Sequence, residues 1–385
     1  MSRKNNTMAL LVVVVMILSL GLAACRSQPN ELRIGLLATL SEGDVEVSGI
    51  PTVNAARLMA DEVNAAGGLE IAGRRYMITL VVEDNGATPE MAVAAASQLI
   101  NQENVIALIG PQYSSQAIPV AHIAEQARVP MISPISTNPQ TTLDKRYVFR
   151  AGFLDDFQGL ALAQFALSEL GAQRAAVLYN VADPYSREIA EVFRQVFENA
   201  GGVVTAFESY ITGETDFTPH LTRIQTQGCD VLFFPNFSDD VLLQAQQARE
   251  MGMTTPFLGS DGWEPMALVS VPEVQGAFTS RHWHSASTTP ASIEFVAAYR
   301  EAYNLPIEDV NDTAALTYDS LGMMLQAIQE AGSTDADAIR DALAYMQYEG
   351  VTGTIQFAGT GDPIKSAVIT QYMDGVEVFY SVVNP

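Results

Sequence analysis

Two pairs of hydroxyls, Ser114-Ser115 and Ser136-Thr137, each follow a short apolar run and stand where the chain turns. The first run, Val105 to Ile109, is too short for a helix and rich in β-branched side chains, so it predicts a buried parallel strand halted by Gly110-Pro111. Val129 to Ser133 predicts a second strand. Between them Ile118, Ala121, Ile123 and Ala124 form the apolar face of a helix that begins at the serines. A helix N-terminus carries partial positive charge and unsatisfied N–H donors, and ligands of open α/β sheets bind outside the carboxyl ends of strands. The two turns together therefore predict an anion site suited to a carboxylate. Taken singly, each pair reads as an ordinary helix cap.

Other reactive side chains carry less. Asp183 and Asp261 are an acid and base in principle, but no nucleophile with an adjacent base accompanies them, so each reads more simply as a charge partner for a ligand. His282 and His284 in RHWHS share one face of an extended segment, yet no cysteine or second histidine pair stands nearby to complete a metal site. No G-x-G-x-x-G after a strand, no G-x-x-x-x-G-K-[ST] and no G-x-S-x-G is present, which removes the dinucleotide, P-loop and hydrolase-elbow readings. Phe237, just past the run Val231 to Phe234, is either a wall for the apolar part of a ligand or a core aromatic.

The elements that must position these groups begin after an export signal. Arg3 and Lys4 precede the apolar segment Met8 to Leu18, which runs on to Leu22-Ala23-Ala24-Cys25, the layout of a signal peptide rather than a membrane span. Those last four residues resemble the bacterial lipobox, so residues 1–24 read as a lipoprotein signal and 25–31 as a tether lipidated at Cys25. Cys229 is then left without a disulfide partner and reads as a small buried residue at a strand start. The formal charge of −24 opposes binding to nucleic acid or anionic lipid headgroups.

A chain of 385 residues predicts about two domains. From Leu32 onward, predicted strands (Leu32 to Ala38, Met77 to Glu83) alternate with helices, one of them opened by Pro51 and closed by Gly67-Gly68. Tyr147 to Gly152 is a crossing, after which the alternation restarts. The expectation is an α/β fold of two doubly wound parallel-sheet lobes joined by crossing strands. The first lobe takes 32–150, completed by 279–358, and the second takes 151–278, completed by 359–385. Three helices, near Pro290–Tyr303, Asp312–Ala331 and Asp335–Met346, are assigned to the first lobe, and Asp374-Gly375 to a terminal hairpin turn.

An ordered series of motifs gives a family resemblance: IGLLATLSE, NAAGGLE, VVEDNGATPEMAVAAASQLI, IGPQYSSQ, VPMISPISTNP, YVFRAG, NVADPYSRE and TPFLGSDGW. Each alone is weak. In this order, from about Leu32 to Tyr380, they resemble the type I periplasmic solute-binding proteins of the branched-chain amino acid (leucine, isoleucine, valine) family that serve ABC transporters.

The resemblance implies a ligand trapped between two closing lobes. Ser115 or its neighbour Ser114, with Thr137, Ser136 and the backbone around Ile135, would hold its carboxylate; Asp261 would take its ammonium, and Tyr185 would supply an aromatic of the second lobe's face. It also implies an exported, lipid-anchored monomer in the periplasm or on the outer side of the cytoplasmic membrane, touching the membrane only through its lipid. Its partners would be the small ligand and permease subunits, with no cofactor, metal, nucleic acid or catalysis. A sensor that binds an amide or small carboxylate and signals to a membrane partner is the alternative. The chain departs from the leucine binders at Val47, where they place tyrosine, at Asp261, one methylene shorter than their glutamate, and in the acidic loop of Glu42, Asp44 and Glu46. These departures widen the expected ligand to another amino acid, an amide, a small carboxylate or a cation.

Overall fold

The computed structural model describes residues 30–385, so the signal peptide and Cys25 lie outside the described residues. The first sheet is built from β1 (Asn30–Ala38), β2 (Leu69–Ile71), β3 (Arg74–Asp84), β4 (Ala107–Ile109), β5 (Met131–Ser133) and β6 (Val148–Arg150), in the order β2-β3-β1-β4-β5-β6. Every pairing is parallel except β2 with β3, a short edge hairpin that the sequence pattern did not reveal. Helices α1 (Ile50–Ala65), α2 (Pro89–Asn101) and α3 (Ser114–Ala127) make the crossovers. Pro51 sits in the first turn of α1, and the Met91 N–H donates to Thr88 Oγ1 at 3.3 Å to cap α2. β4 and β5 are neighbours, with Leu108 opposite Met131, so the two hydroxyl-bearing turns leave adjacent strand ends. Gly110 ends β4 with φ +94°, a conformation that excludes most side chains. The loop before α1 is more regular than expected: Val45–Gly49 wind into a π-helical turn running straight into the helix.

The second lobe repeats the order with α4 (Asp155–Ser168), β7 (Arg174–Asn180), α5 (Pro184–Asn199), β8 (Val203–Tyr210), α6 (Thr218–Gln227), β9 (Val231–Phe234), α7 (Ser238–Glu250), β10 (Phe257–Gly259) and β11 (Phe278–Arg281). β11 pairs with β10, so the second lobe runs to Arg281; the expected boundary at 278 is three residues early.

Three helices then return to the first sheet: α8 (Pro290–Tyr303), α9 (Asp312–Ala331) and α10 (Ala336–Leu343). Leu316, Met323, Met324 and Ile328 of α9 share one core with Leu32, Ile34 and Leu36 of β1, while Ala95, Leu99, Ala117 and Val120 cover the opposite face. Apolar burial of this kind, about 1.5–3 kcal/mol for each large aliphatic side chain, is what fixes these helices to the sheet. β12 (Gln347–Gly350), β13 (Gly353–Phe357) and β14 (Pro363–Ile364) form a separate antiparallel sheet, so the last crossing follows Ile364 rather than residue 358. β15 (Ala367–Met373) and β16 (Val376–Val383) add an antiparallel edge to the second sheet, ordered β16-β15-β11-β10-β9-β7-β8. Asp374 and Gly375 both have positive φ in the turn between them. The first crossing runs beside the segment that leads into β14, Arg150 N donating to Gly361 O at 3.0 Å.

Candidate binding site

A cavity of about 430 Å³ opens between the lobes at the carboxyl ends of both sheets' strands. Ser114, Ser115, Ile135, Ser136 and Thr137 line it from the first lobe, and Tyr185, Phe237 and Asp261 from the second, so all eight expected ligand residues meet there.

On the first-lobe wall, α3 begins at Ser114 with Tyr113 as its N-cap, and no side chain caps it. The serines are therefore free for other partners. Ser114 Oγ lies 2.9 Å from Ser136 Oγ, which lies 2.7 Å from Thr141 Oγ1, and Asn138 N donates to Ser114 Oγ at 3.3 Å. The first N–H groups of α3 have no intrahelical acceptor and add donors to this wall. Beneath it lies a residue the sequence reading missed. The Arg150 guanidinium, fully buried, donates to Ser136 O at 2.6 Å, Asn138 O at 2.8 Å, Thr142 Oγ1 at 2.8 Å and Asp362 Oδ1 at 2.8 Å. It holds the second hydroxyl turn in shape and sets a positive charge behind it.

On the opposite wall, Asp261 is buried and already partnered. Gln158 Nε2 donates to its Oδ1 at 2.5 Å, Tyr185 Oη to the same oxygen at 2.6 Å, and His282 Nε2 lies 3.0 Å from Oδ2. Burial acts to raise the Asp261 pKa, but the His282 hydrogen bond and charge, with those of Tyr185 and Gln158, outweigh it and hold the carboxyl below its usual range. The Tyr185 hydroxyl is pushed well up by burial and by the Asp261 charge. His282 also stacks on Phe153 with ring centroids 3.9 Å apart, so this histidine ties the cavity wall to the residue that follows the first crossing. Gln158 and His282 as braces of Asp261 were not anticipated.

The rim joins the lobes. Tyr113 meets Phe237 edge-to-face with centroids 5.4 Å apart, and Phe237 lies 5.2 Å from Tyr185, so Phe237 is a cavity wall rather than a core aromatic. Tyr113 Oη donates to Asp44 Oδ2 at 2.6 Å, and Asn138 Nδ2 donates to Pro184 O at 2.9 Å. Glu264, three residues past Asp261, also lines the cavity, and burial pushes its carboxyl well up.

The remaining candidates take structural places. Asp183 caps α5, accepting from Ser186 N at 3.0 Å. His284 accepts from Ala286 N at 3.1 Å through Nδ1 and is separated in role from the buried His282. The Cys229 thiol is pushed up to about 11, chiefly by burial, which makes it a poor nucleophile. Among the described residues no helix is long and apolar enough to cross a membrane, and no group of His, Cys, Asp and Glu is placed to hold a metal ion.

Residues 31–376 match the family model described as periplasmic binding protein. An amino acid binding protein of Pseudomonas aeruginosa is 33% identical over 204 residues, and this match spans about half of each chain, 53%. A leucine-, isoleucine-, valine-, threonine- and alanine-binding protein of the same organism is 26% identical over 357 residues, 91% of this chain and 92% of that one. A leucine binding protein from Thermotoga maritima, of known crystal structure, superposes with a TM-score of 0.85 at 30% identity, covering 92% of this chain and 99% of the other. The superposition shows the two parallel-rich sheets to be shared with that structure, and the chain belongs to the periplasmic binding protein family of type I, whose members are solute-binding proteins of ABC transporters and not enzymes.

Proposed function

We propose that the chain captures an amino acid between its two lobes outside the cytoplasmic membrane and hands it to an ABC transporter permease. One observation carries this: hydroxyl and N–H donors of one lobe and a carboxylate of the other line the same cavity. Hydroxyls and helix N–H donors lie on the first lobe, held in place from behind by Arg150, and the Asp261 carboxylate lines the cavity from the second. A zwitterion set between them has its carboxylate on Ser114, Ser115, Ser136 and Thr137 and the backbone around Ile135, and its ammonium on Asp261. Each end bonds to a different lobe, so the ligand favours closure. Tyr185 and Phe237 wall its side chain. The names of the relatives, which bind leucine, isoleucine, valine, threonine and alanine, support the amino acid class.

In the same reading the mature chain is a monomer, exported by its signal, anchored through lipid on Cys25 and tethered within reach of its permease. A thermal-shift screen of the purified protein over amino acids, amides and small carboxylates tests the ligand class. A ligand at one hundred times its Kd stabilises by about 2.7 kcal/mol, which raises the melting temperature measurably. Shifts with carboxylates or amides and none with any amino acid would overturn the reading.

A further inference from the structure

We infer that the captured amino acid is basic, its side chain ending in an ammonium or guanidinium that Glu264 and Asp44 receive. This rests on the amino-acid reading above and names the ligand within it. Besides Asp261, the cavity is lined by Asp44, Glu46, Asp239 and Glu264, with no lysine or arginine among the described residues that line it. One of these acids is conspicuously unserved. Glu264 Oε2 is sealed from solvent and has no hydrogen-bond partner among the described residues. The guanidinium whose charge reaches Glu264, that of Arg281, has its donors committed elsewhere. Its Nε donates to Glu377 Oε1 at 2.8 Å, Nη1 to Asp261 O at 3.1 Å, and Nη2 to Trp263 O and to Tyr372 Oη.

A buried carboxyl oxygen without a partner is unfavourable, and a ligand cation brought to this side chain both pairs it and favours its charged form. Asp44 and Asp239 line the same cavity as Glu264, so one cation there would meet several acids at once. Tyr113 Oη occupies one oxygen of Asp44, and the Tyr113 and Phe237 rings that meet beside it offer π faces to a cation. A leucine side chain in this space would meet carboxylates and leave Glu264 Oε2 unpaired. The family's usual branched-chain ligands therefore fit this cavity less well than a basic one.

Calorimetry on the purified full chain with L-lysine, L-arginine, L-leucine, L-glutamate and 6-aminohexanoate tests this. L-lysine or L-arginine is expected to bind at least tenfold more tightly than L-leucine, and Glu264→Gln to cut that ratio at least tenfold, with a melting curve to report folding. Should Glu264→Gln fail to fold, Asp44→Asn is read in the same ratio. L-leucine or L-glutamate binding more tightly than both basic amino acids, or ratios unchanged in the variants, overturns the inference while leaving the amino-acid reading intact. Binding of 6-aminohexanoate, which lacks the α-ammonium, without binding of any α-amino acid does the opposite: it overturns the amino-acid reading and upholds a cation pocket at Glu264.

Discussion

His282 Nε2 stands 3.0 Å from Asp261 Oδ2, so a residue just past the end of β11, where the chain leaves the second lobe, braces a carboxylate that lines the cavity. A carboxylate only accepts, so Nε2 carries the proton of this pair. Asp261→Asn removes the charge that answers an ammonium and is expected to weaken amino acid binding by about 2–5 kcal/mol. His282→Gln keeps a donor at that place and is expected to cost about 1 kcal/mol. Calorimetry decides, and equal affinity in Asp261→Asn and the unaltered protein would remove Asp261 from the site.

Arg150, on the first crossing, joins four acceptors, three between Ser136 and Thr142 and the fourth on Asp362, and a lysine has neither the fork nor the reach to keep them. Arg150→Lys leaves buried carbonyls at Ser136 and Asn138 without donors, each at about 1–3 kcal/mol. The variant is expected to melt lower and to bind its ligand more weakly, because the hydroxyl turn loses its support. A variant that melts like the unaltered protein would show that the turn holds its own shape.

Gly361, just before β14, lies against β6, and a Cβ there would stand 2.0 Å from Val148 O. Backbone cannot yield as a flexible side-chain end can, so Gly361→Ala is expected to push these two segments apart and to destabilise by about 1–3 kcal/mol. Urea unfolding measures this directly. An unchanged midpoint would mean that the segments separate at no cost.

Tyr113 and Phe237 touch across the cavity mouth, an aromatic pair worth about 0.5–1.5 kcal/mol toward the closed arrangement. Saturating ligand is expected to lower the radius of gyration in solution scattering, and Phe237→Ala to reduce that contraction at equal occupancy. A radius that does not change with ligand would argue against closure as the means of capture.

Much of the fold was legible because its signals are local. Val105 to Ile109 is apolar and β-branched, Pro51 opens a helix and Gly67-Gly68 follow its end, and these cues need no knowledge of distant chain. The hydroxyls of Ser114 and Ser136 could be paired because each stands at a strand's end. What escaped notice depends on long-range contacts. Gln158 reaches Asp261 across 103 residues and Arg150 reaches Asp362 across 212, and no period or spacing encodes such meetings. β11 extends to Arg281 because β15, far later in the chain, pairs with it from Phe278 to Arg281. Glu264 sat in plain view beside the GSDGW motif, and only the sealing of its oxygen distinguishes it from a solvated acid.

Lys365 is buried beside Asp319, its Nζ donating to Thr352 O at 2.8 Å and Thr352 Oγ1 at 2.6 Å. Burial lowers its pKa to about 8, against 10.5 for a free lysine, the Asp319 charge opposing the shift only in part. Between those two values the unfolded chain holds a proton that the folded chain has released, so this residue makes the fold more stable as pH rises from 8 toward 10.5. Below pH 8 the lysine is charged in both states and the full cost of burying that charge remains. Lys365→Met removes the titration, and groups that do not feel the Lys365 charge cancel when the two proteins are compared. The unfolding free energy of the unaltered protein minus that of Lys365→Met is therefore expected to climb by about 1.4 kcal/mol per pH unit across this window. Urea unfolding of both proteins at pH 7, 8, 9 and 10 measures the difference, and parallel pH profiles would show that Lys365 keeps an ordinary pKa inside the fold.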